Sequence, residues 1–152
     1  GSIALLFAAN HPERVAATVV AAPHLFVEEV SVSSIEQARV AYESGGLRQR
    51  LAPYHQDTDS AFWGWCGAWL SPAFRHWNIE AEVSAVRSPI LAIQGVNDEY
   101  GTMKQIRRIA ELAPQTRLLE LADCGHAPHR DQPDLLVLNV SAFLEQHLGD
   151  FE

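Results

Sequence analysis

Apolar positions along the chain recur at two different spacings, and the alternation between them predicts the architecture. Residues 2–10 carry Ile3, Leu6 and Phe7 with the small Ala8 and Ala9 beside them, and the run stops near Pro12, which predicts a buried helix. The next run, VAATVVAAP over residues 15–23, is short, β-branched and closed by Pro23. That texture predicts a parallel strand covered on both faces. From His24 to Arg87 the pattern changes: aromatic residues crowd in, charges scatter, and short helical segments replace strands. SIEQARVAYES places Ile35, Ala38 and Tyr42 at helical spacing. GGLRQRLA follows a glycine pair, DSAFWGWCGAWL opens with Asp59 or Ser60 as N-cap, and SPAFRHW begins with a Ser-Pro start signal.

The sheet pattern resumes at SPILAIQG. A helix is predicted over TMKQIRRIAELA, then a strand over TRLLELAD. A last helix from Asp131–Pro133 to Gly149 keeps Leu136, Val140, Phe143, Leu144 and Leu148 on one stripe. Strands separated by helices predict an α/β fold with a parallel sheet. The domain reading follows: residues 1–23 and 88–152 form an α/β core, and 24–87 form an all-helical insertion between two of its strands.

Length and composition fit one domain with a real core: 152 residues, 47% of them hydrophobic. Nineteen acidic against eleven basic residues give a net charge of -8, which excludes a nucleic-acid or anionic-membrane partner from the expected set. Cys66 and Cys124 are isolated, so neither a zinc knuckle nor a redox pair is expected. The opening GSIALLFAAN lacks the basic flank of a signal peptide, and no apolar run approaches about 20 residues. A soluble, cytoplasmic protein is expected. The Asn139 sequon lies inside the last predicted helix and is read as chance.

The chemistry concentrates in two segments, GVNDEYGT and ADCGHAPHRDQP, which set Asp98 and His126 at the ends of successive strands, 28 residues apart. A hydroxyl nucleophile is inert near neutral pH unless a base takes its proton, and imidazole is suited to that task. A carboxylate on the other ring nitrogen fixes the tautomer and stabilises the imidazolium. Asp98 therefore reads as the acid and His126 as the base, with Glu99 and His129 as rivals. Ordinary turn chemistry is the plain alternative for Asp98. Gly125 is expected to bend the backbone beneath the ring. No third ligand accompanies His126 and His129, so neither a metal nor any cofactor is expected.

These segments resemble the C-terminal half of the α/β-hydrolase family. GVND is similar to the family's GxxD, which would make Asp98 the triad acid, and CGHAPH is similar to its GHxPH, which would make His126 the triad histidine. SIALLFAANHPERV resembles the helix that follows the GxSxGG nucleophile elbow, with Gly1 matching the elbow's last glycine. The resemblance implies that the nucleophile lies three residues before Gly1, so Ser2 is not expected to fill that role. It also implies that residues 24–87 are a lid and that the missing N-terminal half would pair with the first strand. An unpaired strand edge is then expected, open to that half or to self-association. Within the aromatic block, Trp63, Trp65 and Trp69 are candidates to contact substrate, with core packing as the alternative.

The function expected from this resemblance is hydrolysis of an ester or related small apolar substrate by a nucleophile, histidine, acid triad, with this chain inactive alone. Two alternatives stand beside it: a non-catalytic binding or assembly module retaining the fold, and an aspartate-nucleophile epoxide or haloalkane hydrolase.

Overall fold

Prolines, glycines and apolar runs cut the chain into helices and strands over residues 1–149, the part that the computed structural model describes. In chain order these are α1 (Ser2–Asn10), β1 (Thr18–Ala21), α2 (Glu29–Glu43), α3 (Gly46–Leu51), α4 (Thr58–Leu70), α5 (Glu80–Val83), β2 (Ile90–Gly95), α6 (Lys104–Leu112), β3 (Thr116–Leu121), α7 (Pro128–Asp131) and α8 (Pro133–Leu148). Two compact units result, one of residues 1–26 with 78–152 and the other of Val27–Trp77. His24–Phe26 and the stretch from Asn78 to Arg87 thus belong with the sheet, whereas the sequence reading divided the chain at 24 and 87. The last three residues of the expected core, 150–152, lie outside the described residues.

In the first unit the strands form a parallel sheet in the order β1-β2-β3. Thr18 stands opposite Ile90 and Ala21 opposite Ile93; on the other side Ile90 pairs with Thr116 and Gly95 with Leu121. Every residue of β2 is buried, as expected of a central parallel strand with both faces covered. Phe143 of α8 is 1% exposed and packs with Leu91, Ile93, Leu121 and Cys124, while Leu136, Val140 and Leu144 extend the contact along the predicted stripe. Ile106 and Ile109 of α6 are fully buried.

Helix α1 departs from expectation. Only Leu5 and Ala8 are buried; Ile3 is 83% exposed and Phe7 41% exposed. The helix is apolar on every side, so periodicity gave no polar face by which to tell the packed side from the open one. Its open side and the free edge of β1 border a groove of about 640 Å³ lined by Ile3, Ala4, Phe7, Val15 and Val19 among others.

The second unit is helical. Helix α2 begins at Glu29, earlier than the pattern indicated, and ends where Gly45 takes φ +89, a left-handed conformation that closes the helix at low steric cost. Asp57, not Asp59 or Ser60, caps α4 by accepting from the Ser60 amide. Asp59 instead accepts from Tyr42 Oη at 2.6 Å and from Arg48 through two nitrogens. SPAFRHW yields only a short 3-10 turn over Pro72–Phe74 after the Ser71 cap. The aromatic rings fall into two clusters: Tyr42 stacks on Phe62 at 3.7 Å with Trp63 and Trp65 edge-on, and Trp69 meets Phe74 and Trp77. No helix among the described residues is long and apolar enough to cross a membrane.

Candidate active site

Both chemical segments leave the carboxyl ends of neighbouring parallel strands, where open α/β sheets place their sites. The crossing of the two loops is set by Gly95. A Cβ on this residue would overlap the carbonyl oxygens of Cys124 and Gly125, so only glycine lets the chain after β2 pass beneath the chain after β3. Two backbone hydrogen bonds hold the crossing, Val96 N–H to Leu121 O at 2.8 Å and Asn97 N–H to Cys124 O at 2.9 Å. The bend before His126 is made elsewhere than expected. The left-handed residue is Asp123, with φ +51, and Gly125 serves close approach instead: a Cβ there would meet Glu99 Oε2 at 3.1 Å and Asp131 Oδ2 at 3.3 Å.

The result brings Asp98 and His126 together. His126 Nδ1 lies 2.9 Å from Asp98 Oδ1 and 3.1 Å from Oδ2. The carboxylate side chain is 1% exposed and the imidazole 37% exposed. With an acceptor-only carboxylate at Nδ1, the neutral ring carries its proton there, and Nε2 is left as the basic nitrogen. Burial is the largest influence on the Asp98 carboxyl and raises its pKa. Hydrogen bonds from His126 and from the Tyr100 and Gly101 amides, with the attraction of His126, outweigh it and hold the group below its ordinary value.

The surrounding residues tie the two loops down. Glu99, the rival acid, accepts from the His126 amide at 3.3 Å and leaves the ring nitrogen to Asp98. Asp131 accepts from the Gly125 amide, which lowers its pKa, and Gln132 donates to the Ala122 and Asp123 carbonyls. His129, Arg130 and Asp131 lie in α7, where Arg130 donates to Asp131. The Tyr100 ring stands 4.9 Å from the His126 ring and the His24 ring 6.1 Å from it. Ser2 Oγ donates to the His24 carbonyl at 2.6 Å. No group of three or more His, Cys, Asp or Glu able to hold a metal occurs among the described residues.

Sequence reasoning missed Gln94 and Tyr100. Gln94 is 1% exposed on β2, and its amide nitrogen faces three acceptors: Gly101 O at 2.7 Å, Thr102 O at 3.2 Å and Asp98 Oδ2 at 3.2 Å. Its Oε1 has no protein donor among the described residues, an arrangement that costs on the order of 1–3 kcal/mol. The reverse orientation would set an oxygen against all three acceptors. The signal was present as the one polar side chain in the run ILAIQG. Trp63 and Trp65 are 42% and 38% exposed on the helical unit, while Trp69 is half-buried against Phe74 and Trp77. A cleft of about 460 Å³ beside α6 includes neither Asp98 nor His126; its arginines are engaged by Glu80, Glu111 and Glu120.

A parallel sheet with flanking helices and an acid–histidine pair at its carboxyl edge defines an α/β protein, and its layout is that of the C-terminal part of the α/β-hydrolase fold. No protein-family model and no curated protein sequence matches the chain. Solved structures do. A bacterial membrane phospholipase A described as a virulence factor superposes with a TM-score of 0.74 at 20% identity, over 97% of this chain and 55% of that one. A serine hydrolase involved in carbazole degradation gives 0.69 at 16% identity, over 93% and 58%. A putative non-heme bromoperoxidase from Mycobacterium tuberculosis gives 0.67 at 19% identity, over 95% and 63%. At such identities the likeness is one of fold, and the chain spans 55–63% of the length of these neighbours.

Proposed function

We propose that Asp98 and His126 are the acid and base of a nucleophile, histidine, acid triad that hydrolyses an ester or related small apolar substrate. The observation that carries this reading is the bond between the His126 Nδ1 and a buried carboxylate, with the ring itself open to solvent. In this reading His126 Nε2 takes the proton of a serine hydroxyl as the oxygen attacks the substrate carbonyl. The imidazolium so formed is stabilised by ionised Asp98 and returns the proton to the leaving alcohol, and water then repeats the cycle to free the acid. By the resemblance of SIALLFAANHPERV to the helix that follows the nucleophile elbow, the serine stands before α1, on a part of the fold outside residues 1–152. That part also covers the open edge of β1 and the exposed Ile3 and Phe7. The helical unit serves as the lid in this reading, and Trp63, Trp65 and Trp69 are its candidate substrate contacts.

The test is turnover of p-nitrophenyl butyrate by the complete protein. His126→Ala and Asp98→Ala should each lower kcat by on the order of 10³- to 10⁴-fold. A fluorophosphonate probe should label one serine upstream of α1, and residues 1–152 alone should show no His126-dependent turnover. Retained turnover in the His126→Ala protein would overturn the reading, and failure to label any serine would favour an aspartate nucleophile or a non-catalytic module.

A further inference from the structure

A carboxylate that must orient an imidazole has one soft internal rotation, the roughly two-fold turn about its own Cβ–Cγ bond. Here His126 Nδ1 reaches both oxygens, 2.9 Å from one and 3.1 Å from the other, so the histidine alone does not choose between them. Three other donors do. The Tyr100 amide holds Oδ1 at 2.8 Å, the Gly101 amide also donates to the carboxylate, and Gln94 Nε2 holds Oδ2 at 3.2 Å. Both amides belong to the loop that carries Asp98, so they cannot fix that loop to anything. Gln94 differs because it belongs to β2, the central and wholly buried strand. The same nitrogen reaches the Gly101 and Thr102 carbonyls, so the loop after Asp98 is folded back onto the strand that precedes it.

We propose that Gln94 is a positioning residue, locking both the rotation of the Asp98 carboxylate and its loop to the central strand so that His126 keeps its working orientation. The proposal rests on the Asp98–His126 reading above. Hydrophobic burial would be better served by an aliphatic residue at this position, and the amide instead orients its two N–H bonds toward three acceptors while Oε1 goes without a protein donor among the described residues. A second buried glutamine does the corresponding work after β1: Gln105 accepts from the Leu25 amide at 2.7 Å and donates to Phe26 O at 3.1 Å. These bonds serve the segment after β1, which makes Gln105 a structural control.

The experiment uses the complete protein and p-nitrophenyl butyrate. Gln94→Leu should lower kcat by about 10- to 100-fold with KM within about twofold, the size expected when a catalytic group is displaced by a fraction of an ångström. In an Asp98→Ala background the same substitution should cost nothing further, because its effect passes through Asp98. Gln105→Leu should lower Tm with little change in kcat. Gln94→Glu sets a second carboxylate beside Asp98 and should move the acid limb of the kcat profile to higher pH; it serves alone if Gln94→Leu does not fold. An unchanged kcat in Gln94→Leu, an equal loss in both backgrounds, or an unmoved acid limb in Gln94→Glu overturns the proposal while Asp98→Ala and His126→Ala stay inactive. Full activity in those two variants overturns the triad reading, and this proposal with it.

Discussion

At the scale of single residues, the site depends on one glycine as much as on its charged groups. Gly95 permits the crossing that brings residues 98 and 126 within hydrogen-bond reach, and any Cβ there meets backbone carbonyls that have no rotamer to retreat to. Gly95→Ala should destabilise the protein by about 3 kcal/mol or more, read from urea unfolding; a change under about 1 kcal/mol would mean the loops can part without cost. Asp98 makes a pH-dependent contribution whose sign follows from its lowered pKa. Stability from this group is complete above the unfolded value of about 3.9 and is lost as pH falls through the lower folded value. The Tm gap between the wild type and Asp98→Asn should therefore be widest above about pH 4 and close below it. A gap that widens in acid would contradict the assignment of Asp98 as an ionised, bonded carboxylate. The pairing of Asp98 with His126 was legible from sequence because each follows an apolar strand closely, Asp98 three residues after Gly95 and His126 directly after Gly125. Gln94 was not, since a lone glutamine in an apolar run announces burial but not what its amide faces.

At the scale of elements, α8 carries the sheet's outer cover and α4 the helical unit's aromatic cluster. Phe143 fills the space over Leu91, Ile93 and Leu121, so Phe143→Ala should cost about 3–5 kcal/mol by chemical denaturation. A loss below about 1 kcal/mol would place the core elsewhere. In the helical unit Asp59 gathers Arg48 and Tyr42, and their three hydrogen bonds hold its carboxyl well below the usual range. Asp59→Ala should lower Tm near neutral pH, and the difference from wild type should shrink in strong acid, where the aspartate is protonated in both folded and unfolded states. The stripe of α8 was readable because its exposed side is interrupted by Asp134, Ser141 and Glu145. The cap of α4 lies within DTDS, which offers several cap formers in a row, and only backbone geometry selects Asp57.

At the scale of the whole molecule, β1 has a sheet neighbour on one side only among the described residues, and the groove beside it is apolar. An open, hydrophobic strand edge is a template for further pairing. Residues 1–152 expressed alone should therefore associate in sedimentation experiments, and Ile3→Lys with Phe7→Lys should reduce that association. A monomer with no dependence on these residues would remove the edge as an association surface. The order of strands was legible because parallel strands need helical crossovers, and each crossover leaves a change of period in the sequence. Which side of α1 faces the open groove was not legible, because an all-apolar helix has no pattern to read.

The sequence by itself determined the alternation of helices and strands, the parallel sheet, and the two residues able to act as acid and base. These follow from periodicity and from residue chemistry, which are local properties. Only the tertiary structure decided that the two loops cross over Gly95, that Asp98 is buried while His126 is open, and that Gln94 reaches back to the acid from the central strand. Each of these is a contact between groups brought together by the fold, set by steric exclusion and by the pairing of buried donors with acceptors, which no local pattern encodes.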